Sequence, residues 1–238
     1  MAVVVWVFAG GGESEVKGLT QFLDKNFPGC QFIRKTPIRQ KPGPKPNKAL
    51  SYGRTGQSLI EQIKEELPIA LRVEPNRCDL ILVFDDLDCR DRITQRQKIL
   101  EEIAKISECD NIEKFVGFAA PELEAWIIGD WNNTVANHLD FRDRHQRMRW
   151  WLSTKRNIPF NNPESFSEYD PERDCCREKL SEALIESTVQ DADRDKPRFS
   201  KGLHTPELIT QINCGELQRK CPLFRELYNY LNHFCQNS

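Results

Sequence analysis

Val3 to Phe8 is an unbroken run of β-branched and aromatic residues with no polar position to mark a solvent face. Such a run predicts a strand buried on both sides. It stops at Gly10-Gly11-Gly12. Glu13-Ser14-Glu15 then opens a helical pattern with Val16, Leu19, Phe22 and Leu23 on one face and Ser14 as its cap. Gln31 to Arg34 reads as a second, short strand. Pro37, Pro42, Gly43, Pro44 and Pro46 break regular structure and leave a loop before a helix over residues 55–71. Leu80 to Phe84 is the next buried strand, running into Asp85-Asp86-Leu87-Asp88. A helix over residues 93–106, a strand over 115–118 and a helix opened by Pro121 in its favoured first turn complete the alternation. Strands and helices alternating at this spacing predict an α/β fold, a mostly parallel sheet flanked by helices.

Beyond Asp130 the strand signal ends. Helical stretches are expected near residues 145–154, 173–188 and 223–234, separated by turns rich in Asn, Pro and Asp. The chain therefore reads as an α/β domain over residues 1–135 and a helical extension over 136–238 packed on it. No apolar run approaches the roughly 20 residues a membrane span needs. The first residues lack a basic segment and a small-residue cleavage site, so a cytoplasmic protein without membrane insertion is expected. The nine cysteines form no CxxC pair and their number is odd. Reduced thiols, several of them in the core, are the expectation.

Charge changes the picture more than composition does. The formal net charge is −2, from 34 Lys and Arg against 36 Asp and Glu. Residues 25–60 nevertheless contain no acid, while Lys25, Arg34, Lys35, Arg39, Lys41, Lys45, Lys48 and Arg54 fall there. A positive, proline-stiffened arm suits a phosphate backbone, with Arg34, Lys35, Arg39, Lys41, Lys45 and Lys48 as the nucleic-acid contacts. A second basic and aromatic cluster runs from Arg142 to Arg156 and includes Trp150 and Trp151. It could stack on bases or serve as core, and Asp140 and Asp143 dilute it.

Acids gather where three of the expected strands end: Glu13 and Glu15 after the first, Asp85, Asp86 and Asp88 after the third, Glu122 and Glu124 after the fourth. In open parallel sheets functional groups collect at the carboxyl ends of the strands. Crowded carboxylates repel one another, and a hard divalent cation, Mg²⁺ or Mn²⁺, relieves that repulsion. The bland alternative is that these acids cap helices and populate turns. The four histidines show no HxxxH or HExxH spacing, and the glycine triplet lacks the P-loop and GxGxxG spacings.

These residues also carry a resemblance. A strand followed by a glycine-rich turn and Glu, then Asp86-Leu87-Asp88 after a later strand, resembles the TOPRIM fold of topoisomerases, primases and OLD-type nucleases. Ala120-Pro-Glu-Leu-Glu-Ala-Trp126 is similar to the Glu-Ala-Trp signature of the DUF4276 group of TOPRIM-like proteins. Phe199-Ser-Lys201 and Cys221-Pro-Leu-Phe224 match that group's layout, so the likeness spans nearly the whole chain. It implies a Mg²⁺-dependent nuclease, with Glu13, Asp86 and Asp88 holding one metal and Glu122 and Glu124 a second. Lys201 would stabilise charge on the scissile phosphate. It further implies nucleic acid as substrate and a partner ATPase in a microbial defence system. One departure stands out: Ala9 occupies the place of the family's first glutamate, with Glu15 as the acid that could substitute. A catalytically inert module binding nucleic acid or a partner protein is the alternative. A nucleotide-binding or phosphotransfer domain is a third, supported only by Asp86 and the glycines.

Overall fold

The computed structural model describes residues 3–10, 12, 14–36, 57–189 and 197–237. Within them the apolar runs become four strands: β1 (Val3–Ala9), β2 (Cys30–Arg34), β3 (Leu80–Asp86) and β4 (Glu113–Ala119). All neighbours are parallel and the order is β2-β1-β3-β4. The chain leaves β1 for β2 on one side and crosses back to β3 on the other. That reversal puts a topological switch point between β1 and β3, where ligand crevices form in such sheets.

The period of two along each strand divides the core into two layers. Val5, Val7, Ala9, Leu80, Leu82 and Phe84 enter one apolar cluster, while Trp6, Phe8, Ile81, Val83, Val116 and Phe118 enter the other. Helices α2 (Gln57–Val73) and α3 (Arg92–Ala104) close the second layer through Leu59, Ile63, Leu67, Ile99 and Ile103. A π-helical turn (Ser14–Leu19) leads into α1 (Thr20–Asn26), and Leu19, Phe22 and Leu23 close the first layer. The result is an α/β protein with an all-parallel four-stranded sheet flanked by helices, a Rossmann-like arrangement.

The later chain supplies α4 (Glu124–Gly129), α5 (His145–Lys155), α6 (Leu180–Ser187), α7 (Lys201–Thr210), α8 (Cys214–Lys220) and α9 (Pro222–Asn237). Most of their buried apolar residues, from Ala125 to Leu231, belong to the same cluster as Val5 and Phe84, while Leu223 of α9 joins the other. Trp126 sits at its centre, 4.8 Å from Phe224 and 5.4 Å from Phe84 between ring centroids. Helix α9 lies over β4, with Phe115 and Tyr230 stacked at 4.0 Å. A side chain at Gly117 would meet Leu227 at 3.0 Å, so glycine is what lets that helix approach.

Three expectations are corrected. Pro121 does not open a helix: it follows a cis peptide, and α4 begins only at Glu124. The helix expected over residues 173–188 begins at Leu180, because Tyr169–Asp170 and Cys175–Cys176 form a short antiparallel pair, β5 and β6. The cysteines are not all thiols. Cys30 is bonded to Cys235 and Cys89 to Cys176, across sequence separations of 205 and 87. Cys78, Cys109, Cys175, Cys214 and Cys221 are free. Pairs that far apart in sequence meet only through the tertiary fold. The expectation of reduced thiols therefore fails for these four cysteines. Among the described residues no helix is long and apolar enough to cross a membrane.

Candidate functional site

The carboxyl ends of β3 and β4 are laced together by backbone hydrogen bonds, Leu87 N–H to Ala119 C=O and Asp88 N–H to Pro121 C=O, both 2.8 Å. Asp86 is the last residue of β3, on the sheet face that Leu82 and Phe84 share. Its Oδ1 accepts the Leu123 N–H at 2.9 Å, fixing the turn from which α4 departs. Asp88 and Cys89 follow with left-handed φ values of 49° and 60°. Two consecutive non-glycine residues in that region are strained, a condition that tends to persist at functional sites. The Cys89–Cys176 bond ties this turn to the β5–β6 hairpin.

Glu122 and Glu124 are buried beside it. Glu122 accepts from Ser181 through both its backbone N–H (2.7 Å) and its hydroxyl (3.0 Å). Glu124 is wholly buried, and its Oε1 accepts from the Thr205 hydroxyl at 2.9 Å. Between the two carboxylates lies the Lys201 ammonium, 3.1 Å from Glu122 Oε2 and 3.1 Å from Glu124 Oε2. Lys201 and Thr205 stand one turn apart on α7, so one face of that helix delivers both partners. Trp126 explains the orientation of Glu124. With the indole locked in the aromatic core, the first turn of α4 must aim its glutamate at α7.

The electrostatics follow from this crowding. Burial pushes the Glu124 carboxyl above its ordinary range, against the opposing pull of Lys201. Burial works against the Lys201 ammonium, but Glu124, Glu122 and Asp86 outweigh it and its pKa is raised. Asp88 is raised by burial and by Glu122, and is held back by Arg90 and Lys179. Arg90 reaches Asp88 at 3.3 Å and Asp174 at 3.1 Å, and the Tyr169 hydroxyl donates to Asp174 at 2.8 Å.

Of the residues singled out in the sequence, Asp86, Asp88, Glu122, Glu124 and Lys201 are thus brought to one edge of the sheet. Glu13 lies outside the described residues, as do Arg39, Lys41, Lys45 and Lys48. Arg34 and Lys35 are engaged internally. Arg34 donates to the carbonyls of Thr36 (3.1 Å), Ala9 (3.0 Å) and Gly10. Lys35 pairs with Glu74 at 2.5 Å and lies 4.3 Å over the Trp6 ring. Ala9 is fully buried in the core. Asp85 points to the opposite face of the sheet from Asp86 and is also buried.

Sequence reading missed Ser181 and Thr205, the hydroxyl donors that hold the glutamates. The spacing of four residues from Lys201 to Thr205 was the one available signal. It also missed a histidine pair. His138 and His204 are buried with ring centroids 5.4 Å apart, facing Glu207 (3.3 Å) and Asp140 (3.2 Å). Each Nδ1 accepts a backbone N–H, from Asp140 and Ser200 respectively, which places the proton on Nε2.

Among the described residues no group of three or more His, Cys, Asp or Glu side chains is gathered tightly enough to hold a metal ion. The donor chemistry nevertheless suits a hard cation, since the converging ligands are carboxylate oxygens. Glu124 Oε2 is buried, with the Lys201 ammonium 3.1 Å away as its counter-charge among the described residues. The fold and this edge define the class: a Rossmann-like α/β protein with a buried acid–lysine cluster at the carboxyl ends of β3 and β4. No family model matches the chain, and neither a curated protein nor a solved structure is significantly similar to it.

Proposed function

We infer that this chain is a Mg²⁺- or Mn²⁺-dependent phosphodiesterase acting on nucleic acid, built on a TOPRIM-like version of its parallel-sheet fold. The observation that carries the reading is the meeting of Asp86, Glu122 and Glu124 with Lys201, from three elements, beside the strained Asp88 turn. Two buried glutamates and a lysine cost folding energy that an inert surface has no reason to bear. Asp86, Asp88, Glu122 and Glu124 would hold the ions, with Glu13 as the remaining ligand the resemblance implies. Bound there, divalent cations supply a water activated for attack and a counter-charge for the leaving oxygen.

The chain's own groups do the rest. Ser181 and Thr205 fix the carboxylate planes by hydrogen bonds to Glu122 and Glu124. Among the described residues Lys201 is the cation in contact with both glutamates, and its side chain is 38% exposed. Arg90 restrains Asp88 from the hairpin side. A partner ATPase and a cytoplasmic setting belong to the same reading. The first is tested by co-purification, the second by fractionation.

The test is cleavage of labelled single- and double-stranded DNA and RNA with Mg²⁺, Mn²⁺ or EDTA, on the wild type and on Asp86→Ala and Asp88→Ala. Metal-dependent cleavage lost in both variants supports the reading, and full activity in both overturns it. A second reading, an inert TOPRIM-like binding module, is favoured by Ala9, which is buried in the core where the resemblance calls for a glutamate. Wild-type binding without cleavage under any metal would decide for it.

A further inference from the structure

Helix α5 carries an outer face that the acid–lysine cluster does not use. From Arg144 to Pro163 the chain carries Arg144, Arg147, Arg149, Lys155 and Arg156 and no acid. The adjacent tryptophans divide between core and surface. Trp151 is half-buried against the core with Arg156 5.6 Å over its ring, whereas Trp150 is 55% exposed. The Lys155 ammonium lies 5.8 Å from the Trp150 centroid. Arg147 and Arg149 are exposed on the same helix, Arg147 three residues before Trp150 and so beside it on the helix surface.

A cavity of about 430 Å³ opens next to this face. Its walls include Trp131, Asn132, Asn133, Arg149, Phe160 and Lys220, with the Arg149 guanidinium 4.8 Å over the Phe160 ring. Ile128 and Asp130, from the far end of α4, together with Asn213 and Glu216 complete the lining, so two carboxylates and two cations share the cavity wall. Glu124 begins that helix, and six residues at 1.5 Å each put the cavity about 9 Å along it. Helix α6, whose Ser181 holds Glu122, packs on α5. The basic face and the acid edge are therefore one helix apart.

An exposed tryptophan among arginines and a lysine fits one occupant better than others. A duplex presents phosphates and buries its base faces, so it would use the cations and leave Trp150 idle. A single strand offers both phosphates and unstacked bases. An acidic peptide would satisfy the charges but not the flat aromatic platform. We propose that the α5 face is a binding surface for a single strand of nucleic acid. Trp150 stacks on a base, Arg147, Arg149 and Lys155 meet phosphates, and the cavity at Arg149 admits a neighbouring base. The proposal rests on the nucleic-acid reading of the acid–lysine site and adds the strandedness of the substrate and where it lies.

The experiment measures binding in EDTA, so that cleavage plays no part. Labelled oligothymidine, oligouridine and a duplex are titrated by anisotropy, with quenching of tryptophan fluorescence as a second signal. Single strands should bind about tenfold tighter than the duplex, and Trp150→Ala should weaken single-strand binding about tenfold while Trp150→Phe retains most of it. Arg147→Gln with Arg149→Gln should lower the slope of log affinity against log salt by about 1.4, roughly 0.7 for each phosphate contact. The two oligonucleotide arms separate DNA from RNA. Equal affinity of duplex and single strand, unchanged binding in Trp150→Ala, or no binding to either strand overturns the proposal. Failure of the nuclease reading looks different: binding and its Trp150 dependence persist while no metal supports cleavage. Trp150 is exposed, so its replacement should leave thermal unfolding unchanged, and unfolding curves check that each variant is intact.

Discussion

Two ends of the same sheet edge have opposite character. At β1 the final carbonyls, of Ala9 and Gly10, are taken by Arg34, the Thr36 hydroxyl donates to Ala9 at 2.7 Å, and the alanine side chain is sealed in the core. At β3 and β4 carboxylates converge and are balanced by a lysine from a helix some eighty residues further along the chain. The edge rule for parallel sheets says where chemistry can collect. It does not say which strand end carries it. That depends on whether a distant segment brings a counter-charge and hydroxyl donors to that end.

The comparison breaks most easily at Ala9. Placing a glutamate there buries an unpaired carboxylate and crowds a filled core, so Ala9→Glu should lose on the order of 4 kcal/mol in urea unfolding. Unchanged stability with increased cleavage would instead mean that Ala9 opens onto the acid cluster, and the contrast would collapse. Next in size is Lys201→Met. Removing the ammonium leaves Glu122 and Glu124 facing each other without a cation. A loss of about 2 to 3 kcal/mol is expected, scaled down because the lysine is partly exposed. Adding Glu124→Gln to Lys201→Met should restore part of the loss; no recovery would show that the lysine acts by packing alone.

Glu164 sharpens the contrast from another side, as a carboxylate held by N–H donors with no lysine at contact distance among the described residues. It accepts from Leu223 at 2.8 Å and Phe224 at 3.1 Å at the start of α9, yet burial pushes it up to about 7 from an ordinary 4.5. Between those values the folded protein binds the extra proton, so stability should fall as pH rises from about 4.5 through about 7. Glu164 should contribute about 3 kcal/mol of that decline by thermal or urea unfolding, and Glu164→Gln should remove this part while leaving the part owed to Glu124. A decline of the same size in Glu164→Gln would assign it to another group. The smallest stability effect is expected at Asp88. Arg90 keeps Asp174 as a partner, so Asp88→Asn should cost under about 1 kcal/mol. The same variant should nevertheless abolish cleavage, separating the role of that turn from its contribution to the fold.

The strands were legible because β-branched and aromatic runs of four to seven residues have few other destinations. Their ends also carried the acids that the fold gathers. The later helices were less so. The stretch 201–210 has Gly202 and Pro206 in it and reads poorly as a helix, yet Lys201 and Thr205 form contacts that hold it as one. Residues 173–176, expected to begin a helix, became the second arm of a hairpin because Asp174 binds Arg90 and Cys176 binds Cys89, both far off in sequence. The basic segment 25–60 looked uniform. Its described members Lys25, Arg34 and Lys35 are all turned onto the protein itself, onto backbone carbonyls, Glu74 and an indole ring.

By itself the sequence determined the parallel α/β sheet, the order in which its strands arise, and the acids at the carboxyl edge. Those features follow from hydrophobic period and local turn chemistry, which act over a few residues. Only the tertiary structure decided that Lys201 would sit between Glu122 and Glu124, that Ala9 would be sealed, and that Trp150 would face outward while Trp151 faced the core. Each of these depends on which distant surfaces pack together. A pair of charges 79 residues apart has no signature in the chain until burial removes the water between them.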